Sequence, residues 1–487
     1  MLNSTPNASE LWHGISGHFE NLSQVLCEFL DNSISNIISS NSLSRTILIC
    51  IFREGRSYKI SIEDAGSGIV DFEPVMRLGD KSAQVTPLNE HGFGLKHALA
   101  TANPSNDNWK IFTRTQNDLN NNQFRGINAD YDFEYEETVY NCTADKWLGR
   151  LSGTGTYVEF IISDELFNTV QSGIPGNAGY ETCIKYLSQD LGYIYSGILN
   201  QNAVNIVIIS DGLSSNLNVE AIQPEWVDFY QTPSPGEVTL DLGDGNVTIK
   251  YRFGEMKEGT SVRYYKRNMS SSGVEIRVNG RLIMDNLFNE IWGMEIHPSY
   301  NHFLGQIDII SLFPARLPKT KTSKNGIRKE DHKLSKLISW IKSIYPKPER
   351  KLTNAISEVE FIEELANIKR THIRTEAKRI ETNFTVFNNI NSPVKVDLYL
   401  YDGNEIVIYE AKKKTADVQD FYQLLMYWDG LVSDGINPSE GILLAPDFSP
   451  GVDNIIDTFN GVTDREGNRY NFTKKTWIQE GINYPER

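Results

Sequence analysis

The sequence has 487 residues, of which 39% are hydrophobic and 23% are charged. This balance is typical of folded globular domains, and the length predicts about three of them. The net charge of −16 argues against a protein that coats nucleic acid indiscriminately, although it permits a local basic surface.

Sequence signals for a membrane or an oxidising compartment are missing. No apolar run reaches the roughly 18 residues that a membrane span needs. The polar start of the chain does not resemble an export signal. The scattered cysteines predict reduced core thiols and no zinc site. They are Cys27, Cys50, Cys142 and Cys183. We therefore expect a cytoplasmic protein.

Hydrophobic periodicity predicts an α+β multidomain protein with units at 1–175, 176–350 and 351–487. The elements expected in the first unit are a helix at Leu22–Ile38 and strands at Ile47–Phe52, Tyr58–Glu63, Trp109–Arg114 and Gly155–Ile162. Those expected in the second are a helix at Cys183–Leu199, strands at Asn205–Ser210, Glu237–Asp241, Asn246–Phe253, Val274–Val278 and Gly305–Ile310, and a helix at His332–Ile344. Those expected in the third are a long charged helix at Ser357–Thr382, a hairpin of Val394–Tyr401 and Glu405–Ala411, and a helix at Ala416–Val432.

Three polar residues lie on one face of the first predicted helix. Glu28, Asp31 and Asn32 have the spacing i, i+3 and i+4 among apolar neighbours. Burying them without partners would be costly. Oxygen ligands of this kind suit Mg²⁺, and a carboxylate beside the ion can activate water. The alternative is a capped or salt-bridged surface helix.

Three further motifs suit a nucleotide. Asp64 ends a strand and precedes Gly66 and Gly68, so a carboxylate and close backbone approach are available to an adenine amine. The segment with Gly92, Gly94 and Lys96 leads into a helix, whose first N–H groups can bind phosphate. Thr156 opens a strand and can form the floor of a pocket. Each motif alone is also compatible with an ordinary turn or helix start.

In this order and spacing, the motifs resemble the GHKL ATPase superfamily, which includes gyrase, MutL, Hsp-type chaperones and MORC proteins. The resemblance covers about residues 10–170 and implies the Bergerat ATP-binding fold, with ATP and Mg²⁺ as cofactors. It implies that Glu28 is the general base, Asp31 the acid beside it and Asn32 the Mg²⁺ ligand. The remaining matched positions imply contacts with the nucleotide: Asp64, Gly66, Gly68, Gly92, Gly94, Lys96 and Thr156. Leu78–Ser82 is similar to the MORC-type segment that opens the ATP lid.

The second unit resembles the transducer domain of gyrase and MutL. Val278–Ile283 is similar to a strand signature of these transducers, and Pro318–Asn325 is similar to their switch loop. The resemblance implies that a lysine of this loop reaches the γ-phosphate, with Lys324 preferred over Lys321. It also implies an ATP-dependent homodimer or clamp. The stretch 316–351 holds twelve Lys or Arg against three acids and fits either a DNA-facing track or a solvated helix.

The predicted hairpin of the third unit carries two acids and a lysine. Glu410 and Lys412 share one strand face, and Asp397 lies opposite Glu410 or one diagonal away. Such a group can bind Mg²⁺ and position water, whereas the alternative is an amphipathic hairpin with surface charges.

With Gln423 on the following helix, the hairpin resembles the PD-(D/E)XK nuclease superfamily over about residues 355–450. The resemblance implies an α/β restriction-endonuclease-like domain with Asp397 and Glu410 as metal ligands, Lys412 as the catalytic lysine and Gln423 as an accessory residue. Val396 stands where the motif has proline. An acid on the leading helix often completes such sites, and Glu363 and Glu376 are both candidates.

Together the resemblances imply an ATP-regulated nuclease that closes on nucleic acid, with double-stranded DNA expected as substrate, in prokaryotic anti-phage defence or DNA repair. A further partner protein encoded nearby is compatible with this role. The alternatives are an ATP-dependent DNA clamp with an inactive nuclease fold and a chaperone-like ATPase acting on protein.

Overall fold

The computed structural model of the chain describes residues 7–40, 42–80, 86, 88, 92–143, 145–174, 176–227, 235–257, 259, 261, 263–321, 323, 324, 326–345, 348, 358–388 and 394–482. The chain divides into two compact units. The first comprises Met1–Ile296 with His302–Pro348, and the second comprises Glu349–Arg487 with His297–Asn301.

The first unit contains two sheets and the helices around them. Its helices are α1 (Ala8–Ile15), α2 (Leu22–Ser39), α3 (Phe72–Met76), α4 (Gly94–Ala102), α5 (Gln116–Asn120), α6 (Asp164–Asn168), α7 (Tyr180–Ile194), α8 (Ser196–Asn200), α9 (Asn289–Trp292) and α10 (His332–Ile344). Its strands are β1 (Thr46–Glu54), β2 (Ser57–Asp64), β3 (Trp109–Arg114), β4 (Gln123–Asn128), β5 (Thr138–Asn141), β6 (Gly155–Ser163), β7 (Asn205–Ser210), β8 (Leu217–Asn218), β9 (Gly236–Asp241), β10 (Asn246–Glu255), β11 (Gly273–Val278), β12 (Arg281–Leu287) and β13 (Phe303–Ile310).

The first sheet has eight strands in the order β5-β4-β3-β6-β2-β1-β7-β8. Strands β1 and β2 form an antiparallel pair, whereas β7 lies parallel to β1 and pairs Ile47 with Ile206. Strand β7 was expected among the elements that follow residue 176, yet it extends the sheet of the preceding motifs. The predicted helix Cys183–Leu199 is divided at Tyr195 into α7 and α8.

Helix α2 is the central element of the first core. The side chain of Asn21 caps its first turn by accepting a hydrogen bond from the Gln24 N–H. Apart from the exposed Ile38 near its end, its apolar residues are buried in the core that includes the first sheet and α4, and several of its polar residues are buried as well. Because Glu28 and Asp31 share that burial, their charges require partners inside the fold.

The second sheet of this unit has five strands in the order β12-β11-β13-β10-β9. A tight turn joins β11 to β12, with Asn279 and Gly280 at φ of +48° and +85°. The turn packs backbone to backbone on the start of α8, where the Gly197 N–H donates to the Gly280 carbonyl at 3.2 Å. A Cβ atom on Gly197 would lie 2.5 Å from Gly280, so this approach requires glycine.

The second unit contains one five-stranded sheet in the order β14-β15-β16-β17-β18. Its elements are α11 (Glu358–His372), β14 (Arg379–Val386), β15 (Val394–Tyr401), β16 (Ile406–Ala411), α12 (Val418–Ser433), β17 (Glu440–Ala445), α13 (Gly451–Asn460) and β18 (Phe472–Thr476). The predicted helix Ser357–Thr382 is wrong in its second half, because α11 ends at His372 and β14 pairs antiparallel with β15. Alternating Thr382, Phe384 and Val386 suit a strand with a sheet partner, and that tertiary pairing outweighs the charged pattern.

The prediction of an α+β chain is confirmed by three sheets with helices packed on them. Within the described ranges, none of the helices has the length and apolar character needed to cross a membrane. All four cysteines are free, and Cys27, Cys50 and Cys183 are buried as expected.

Candidate functional site

A cavity of about 370 Å³ opens between α2, the end of β2 and the start of α4. Many of the residues predicted to contact a nucleotide line it: Asn32, Asp64, Gly68, Gly92, Gly94, Lys96 and Thr156. Apolar side chains such as Ile62, Ile111 and Val158 form one wall. The cavity therefore combines an apolar slot with convergent polar groups, as small-molecule sites do.

Asp64 is a buried residue that lines the cavity. Its carboxylate accepts hydrogen bonds from Ser33 Oγ at 3.1 Å and from the Gly66 N–H at 2.8 Å. Burial raises the pKa of Asp64 to about 7. Gly66, which does not itself line the cavity, leaves no room for a side chain, because a Cβ there would lie 2.6 Å from Asn36. The glycine therefore allows Asp64 and Asn36 to stay close together.

Lys96 faces the backbone of the cavity rim. Its ammonium group donates to the carbonyls of Val75, Arg77 and Gly92 at 2.8, 3.2 and 2.8 Å. Burial lowers the pKa of Lys96 to about 8. In this arrangement the lysine joins the two sides of the rim, and it would have to exchange a carbonyl to reach a phosphate. His91, Lys81 and Ser82, from the predicted motifs beside it, lie outside the described residues.

Glu28 is buried directly behind Gly94 and does not line the cavity. Only 1% of the residue is exposed, and a Cβ on Gly94 would lie 1.8 Å from Glu28 Oε2. Glu28 Oε2 accepts from Lys324 Nζ at 3.1 Å, whereas Oε1 is buried without a hydrogen-bond partner. Burial raises the pKa of Glu28, although the charge of Lys324 opposes that rise. A carboxylate whose pKa is raised is better suited to accept a proton than an ordinary glutamate.

The two candidate lysines of the predicted switch loop differ in burial and in contacts. Lys324 is 6% exposed and contacts both Glu28 and Asp31, the latter at 2.9 Å from Nζ to Oδ2. Lys321 has an exposed side chain, and its main chain accepts the Lys324 N–H. Lys324 has a φ of +51°, in the left-handed region that is unfavourable for a residue with a side chain. The neighbouring Thr322 and Asn325 lie outside the described residues.

Asp31 lies at the centre of this cluster and does not line the cavity. Besides Lys324, its carboxylate accepts from Arg281 Nε at 2.7 Å and from the Tyr195 hydroxyl at 2.8 Å. The charges of Arg281 and Lys324 outweigh burial and hold the pKa of Asp31 below its usual value. Arg281 and Tyr195 were not among the predicted site residues. The available signal was the Asn279-Gly280-Arg281 motif, which indicates a strand and does not show where its arginine points.

The second unit brings the predicted acids and lysine together. Asp397 lies one position beyond the pair Leu398–Tyr409, and its Oδ2 accepts from the Ala411 N–H at 2.9 Å. Lys412 Nζ is paired with Glu410 and donates a hydrogen bond to Gln423 Oε1 at 3.1 Å. Gln423 Nε2 in turn donates to the Tyr427 hydroxyl at 2.9 Å.

Glu410 is the most buried acid of this group, with 0% exposure. Burial and the nearby charge of Asp397 raise the pKa of Glu410 to about 9, although Lys412 opposes the rise. Glu410 Oε2 has no hydrogen-bond partner. An unpartnered carboxylate oxygen beside a second carboxylate fits a divalent cation. Within the described part of the chain, no three His, Cys, Asp or Glu side chains are grouped as a metal site.

The leading helix contributes a different acid from those expected. Glu358, in the first turn of α11, accepts from the Lys413 N–H at 2.9 Å. Burial raises the pKa of Glu358. The positive charge of Lys412 opposes this rise, and the negative charge of Asp397 adds to it. Glu363 instead accepts from Thr382 Oγ1, and Glu376 lies in the turn after the helix. Glu358 therefore lies nearest to the cluster.

Comparison with known proteins found neither a family model nor a curated protein that matches the chain. Among solved structures, it is similar to the N-terminal domain of a DNA repair protein, with a TM-score of 0.40 and 15% identity over 68% of this chain and 96% of that chain. It is also similar to the B subunit of DNA gyrase from Myxococcus xanthus, with a TM-score of 0.37 and 7% identity over 66% of this chain and 87% of that chain. Neither likeness assigns the chain to a family.

Proposed function

We propose that the first unit binds and hydrolyses ATP and that this reaction controls a metal-dependent nuclease in the second unit. The observation that carries the proposal is the ion pair between Lys324 Nζ and Glu28 Oε2, directly behind the cavity wall at Gly94. This pair supports the proposal because a carboxylate can accept a proton and a neighbouring ammonium group can balance phosphate charge.

In the proposed reaction, Asp64 accepts a hydrogen bond from the adenine amine in the cavity. The start of α4, at Gly94, offers its backbone N–H groups to the phosphates. Glu28 removes a proton from the attacking water, and Lys324 stabilises the charge that develops on the γ-phosphate. Asn32 lines the cavity one helical turn from Glu28 and would hold Mg²⁺, which when bound neutralises phosphate charge.

In the proposed nuclease, Asp397 and Glu410 would hold Mg²⁺, which when bound polarises the phosphodiester. Lys412 orients water or stabilises the leaving oxygen, and Gln423 fixes the position of Lys412 through the 3.1 Å contact. Glu358 is a further acid close enough to act on Lys412 and Asp397. The support for this half is the convergence of these groups from α11, β15, β16 and α12.

Double-stranded DNA is the proposed substrate. Helix α10 and the segment before it expose a series of cations that suits a phosphate backbone, although the chain as a whole is acidic: Lys319, Lys321, Lys329, Lys336 and Lys342. We further propose that ATP produces a homodimer, and that defence or DNA repair is the biological setting.

The ATPase half is tested by ATP turnover and nucleotide binding in the full chain. Glu28→Ala should abolish hydrolysis and retain binding of a non-hydrolysable ATP analogue, because Glu28 does not line the cavity. Turnover retained in this variant would refute the role of Glu28 as general base. Sedimentation with the analogue tests the dimer, and a chain that stays monomeric at high concentration would contradict it.

The nuclease half is tested by cleavage of DNA and RNA with Mg²⁺ or Mn²⁺ in the presence of ATP, ADP or the analogue. Wild type should cleave, Lys412→Ala should not, and Lys414→Ala, with an exposed side chain on the same segment, should behave as wild type. If the wild-type chain cleaves under none of these conditions, the nuclease proposal is refuted and the alternative of an ATP-dependent DNA clamp with an inactive nuclease fold is favoured. ATP turnover insensitive both to DNA and to charge reversal at Lys329 and Lys336 would favour a protein client.

A further inference from the structure

We infer that Arg281 is a positioning residue of the proposed ATPase site. It binds both Asp31 and the main chain of Lys324, and these two contacts hold the lysine within reach of Glu28. The inference rests on the proposed function, and it assigns a role to a side chain that lines no part of the cavity. Three features of the structure carry it: the contacts of Arg281, the balance of charge and the support beneath the arginine.

The contacts of Arg281 join two distant segments. Its Nε donates to Asp31 Oδ1 at 2.7 Å, and its Nη1 donates to the Lys324 carbonyl at 3.2 Å. One guanidinium therefore binds both the helix that carries Glu28 and the loop that carries the lysine. A planar group with several fixed donors can do this, whereas a lysine with one ammonium cannot hold both acceptors in the same geometry.

The contact between Arg281 and the Lys324 carbonyl also supports an unfavourable backbone conformation at Lys324. Lys324 has a φ of +51°, and its N–H donates to the Lys321 carbonyl at 2.9 Å. The Arg281 contact fixes the other side of the same residue, at its carbonyl. A left-handed residue persists where surrounding contacts over-determine it, and here they come from both sides of the peptide.

The charges of the cluster balance only when Arg281 is present. Glu28 and Asp31 are negative, and Lys324 and Arg281 are positive, with all four residues at most 6% exposed. Asp31 shares its two oxygens between the cations, Oδ1 to Arg281 and Oδ2 to Lys324. Without Arg281, Lys324 would be the one remaining cation for two buried carboxylates, and Asp31 would compete with Glu28 for it.

Arg281 is itself held by a rigid support. It begins β12 directly after the Asn279-Gly280 turn, which packs on Gly197 and whose Gly280 N–H donates to Asp308 Oδ1 at 2.9 Å. The Cζ atom of Arg281 lies over the Tyr195 ring, 5.9 Å from the ring centre, and the Tyr195 hydroxyl binds the same Asp31. Arg281 is therefore fixed to the second sheet and to the start of α8, and a displacement of either would move Lys324.

Arg281→Met in the full chain is the test, with Arg277→Met as its matched control. Arg277 is equally buried on the preceding strand, where it pairs with Glu275 and donates to the carbonyls of Tyr193 and Ile194, so its loss breaks a buried ion pair that contains neither Asp31 nor Lys324. We expect Arg281→Met to lower kcat for ATP about a hundredfold and to leave KM within about twofold, because Lys324 is displaced while the cavity is intact. Arg277→Met should retain kcat.

Two further readouts separate positioning from general destabilisation. Arg281→Lys keeps a cation on Asp31 and should recover part of the lost kcat. Reductive methylation followed by mass spectrometry should find Lys324 protected in wild type and in Arg277→Met, and reactive in Arg281→Met. Should Arg281→Met not fold, Arg281→Lys carries the test, with a kcat between wild type and Lys324→Met expected and an unchanged kcat contradicting the inference.

Unchanged kcat and a protected Lys324 in folded Arg281→Met would overturn the inference, and so would equal losses in Arg281→Met and Arg277→Met. Failure of the proposed function is separately visible. A wild-type chain without ATP turnover would refute the ATPase, whereas the methylation of Lys324 would still report whether Arg281 holds it.

Discussion

The two candidate sites differ in how they supply a lysine to a buried glutamate. In each site the glutamate is paired with a lysine, and one of its carboxylate oxygens lacks a hydrogen-bond partner. In the first unit the lysine lies 296 residues away from Glu28 along the chain, whereas in the second unit Lys412 lies two residues from Glu410. The first site exists only when a distant loop is in place, and the second is formed by a single strand and its neighbours.

This difference is compatible with the proposal that the first site controls the second unit. A cation supplied from a remote loop can be withdrawn by a movement of that loop without damage to the cavity. A cation on the same strand as its acid moves with it. We therefore expect perturbations far from Glu28 to affect the first site strongly and equivalent perturbations of the second unit to act only through direct neighbours of Lys412.

The largest effect that would test this contrast is expected for Lys324→Met. Loss of the ammonium removes the charge beside Glu28, and kcat for ATP should fall about a hundredfold to a thousandfold. Lys321→Met, three residues away with an exposed side chain, is the control and should retain activity. Equal losses in both variants would show that the loop, and not the ion pair, is what matters.

Gly94→Ala is expected to have the next largest effect. Its Cβ would lie 1.8 Å from Glu28 Oε2, so the carboxylate or the start of α4 must move, and kcat should fall about a hundredfold. Gly14→Ala provides the control, because no atom lies within 4 Å of a Cβ at that helical position. A Gly94→Ala enzyme with normal kcat would mean that Glu28 is more mobile than its burial indicates.

In the second unit, Gln423→Ala should lower the DNA cleavage rate about tenfold, because Lys412 loses the amide that orients it. Gln419, one turn earlier on α12 with an exposed side chain, is the matched control position. Steady-state cleavage under saturating Mg²⁺ measures the effect. ATP turnover should be unchanged in both variants, and a parallel loss of turnover would contradict the local character of this site.

The pH dependence of nucleotide binding provides a smaller effect. Because the pKa of Asp64 is raised to about 7, the carboxyl holds a proton below that pH and must release it to accept the adenine amine. Affinity for a non-hydrolysable ATP analogue should therefore fall about tenfold between pH 8 and pH 6. Calorimetric titrations of wild type and Asp64→Asn at both pH values cancel the ligand's own titration, and equal slopes would refute the assignment.

The smallest expected effect concerns His97, on α4. Burial lowers its pKa to about 4, so the unfolded chain binds more protons than the folded chain between pH 4 and its ordinary value of 6.5. Stability is therefore lost as the pH falls through this window. After solvent screening, wild type should lose about 1 kcal/mol more than His97→Phe between pH 7 and pH 4.5. Denaturant unfolding measures this, with exposed His13→Phe as the control.

Local patterns predicted the five longest described helices, at least in part, and most of the described strands. They also predicted many of the polar residues that line the cavity. Helix α10 and strand β3 have the bounds expected from periodicity and β-branched runs. The register of Asp397 against Glu410 also followed from the hairpin, since a strand has a fixed two-residue period.

What the sequence did not predict depends on contacts between distant segments. Strand β14 has a charged pattern that favours a helix, and its pairing with β15 decides its conformation. Spacing alone treats Lys321 and Lys324 as equivalent cations near a turn, and their different burial depends on how the loop folds. The position of Glu358 beside the acidic cluster was missed for a similar reason, because it depends on where α11 begins relative to Lys413.

The left-handed backbone at Lys324 has an evolutionary consequence. Glycine and asparagine occupy that conformation at lower cost than lysine does, so the local backbone energy favours replacing the lysine with one of them. The ammonium group opposes that drift through its proposed role in hydrolysis and also because its loss would leave buried Glu28 without a cation. A lineage that no longer hydrolysed ATP should therefore lose this lysine only together with Glu28, and before the apolar residues that form the core of α2.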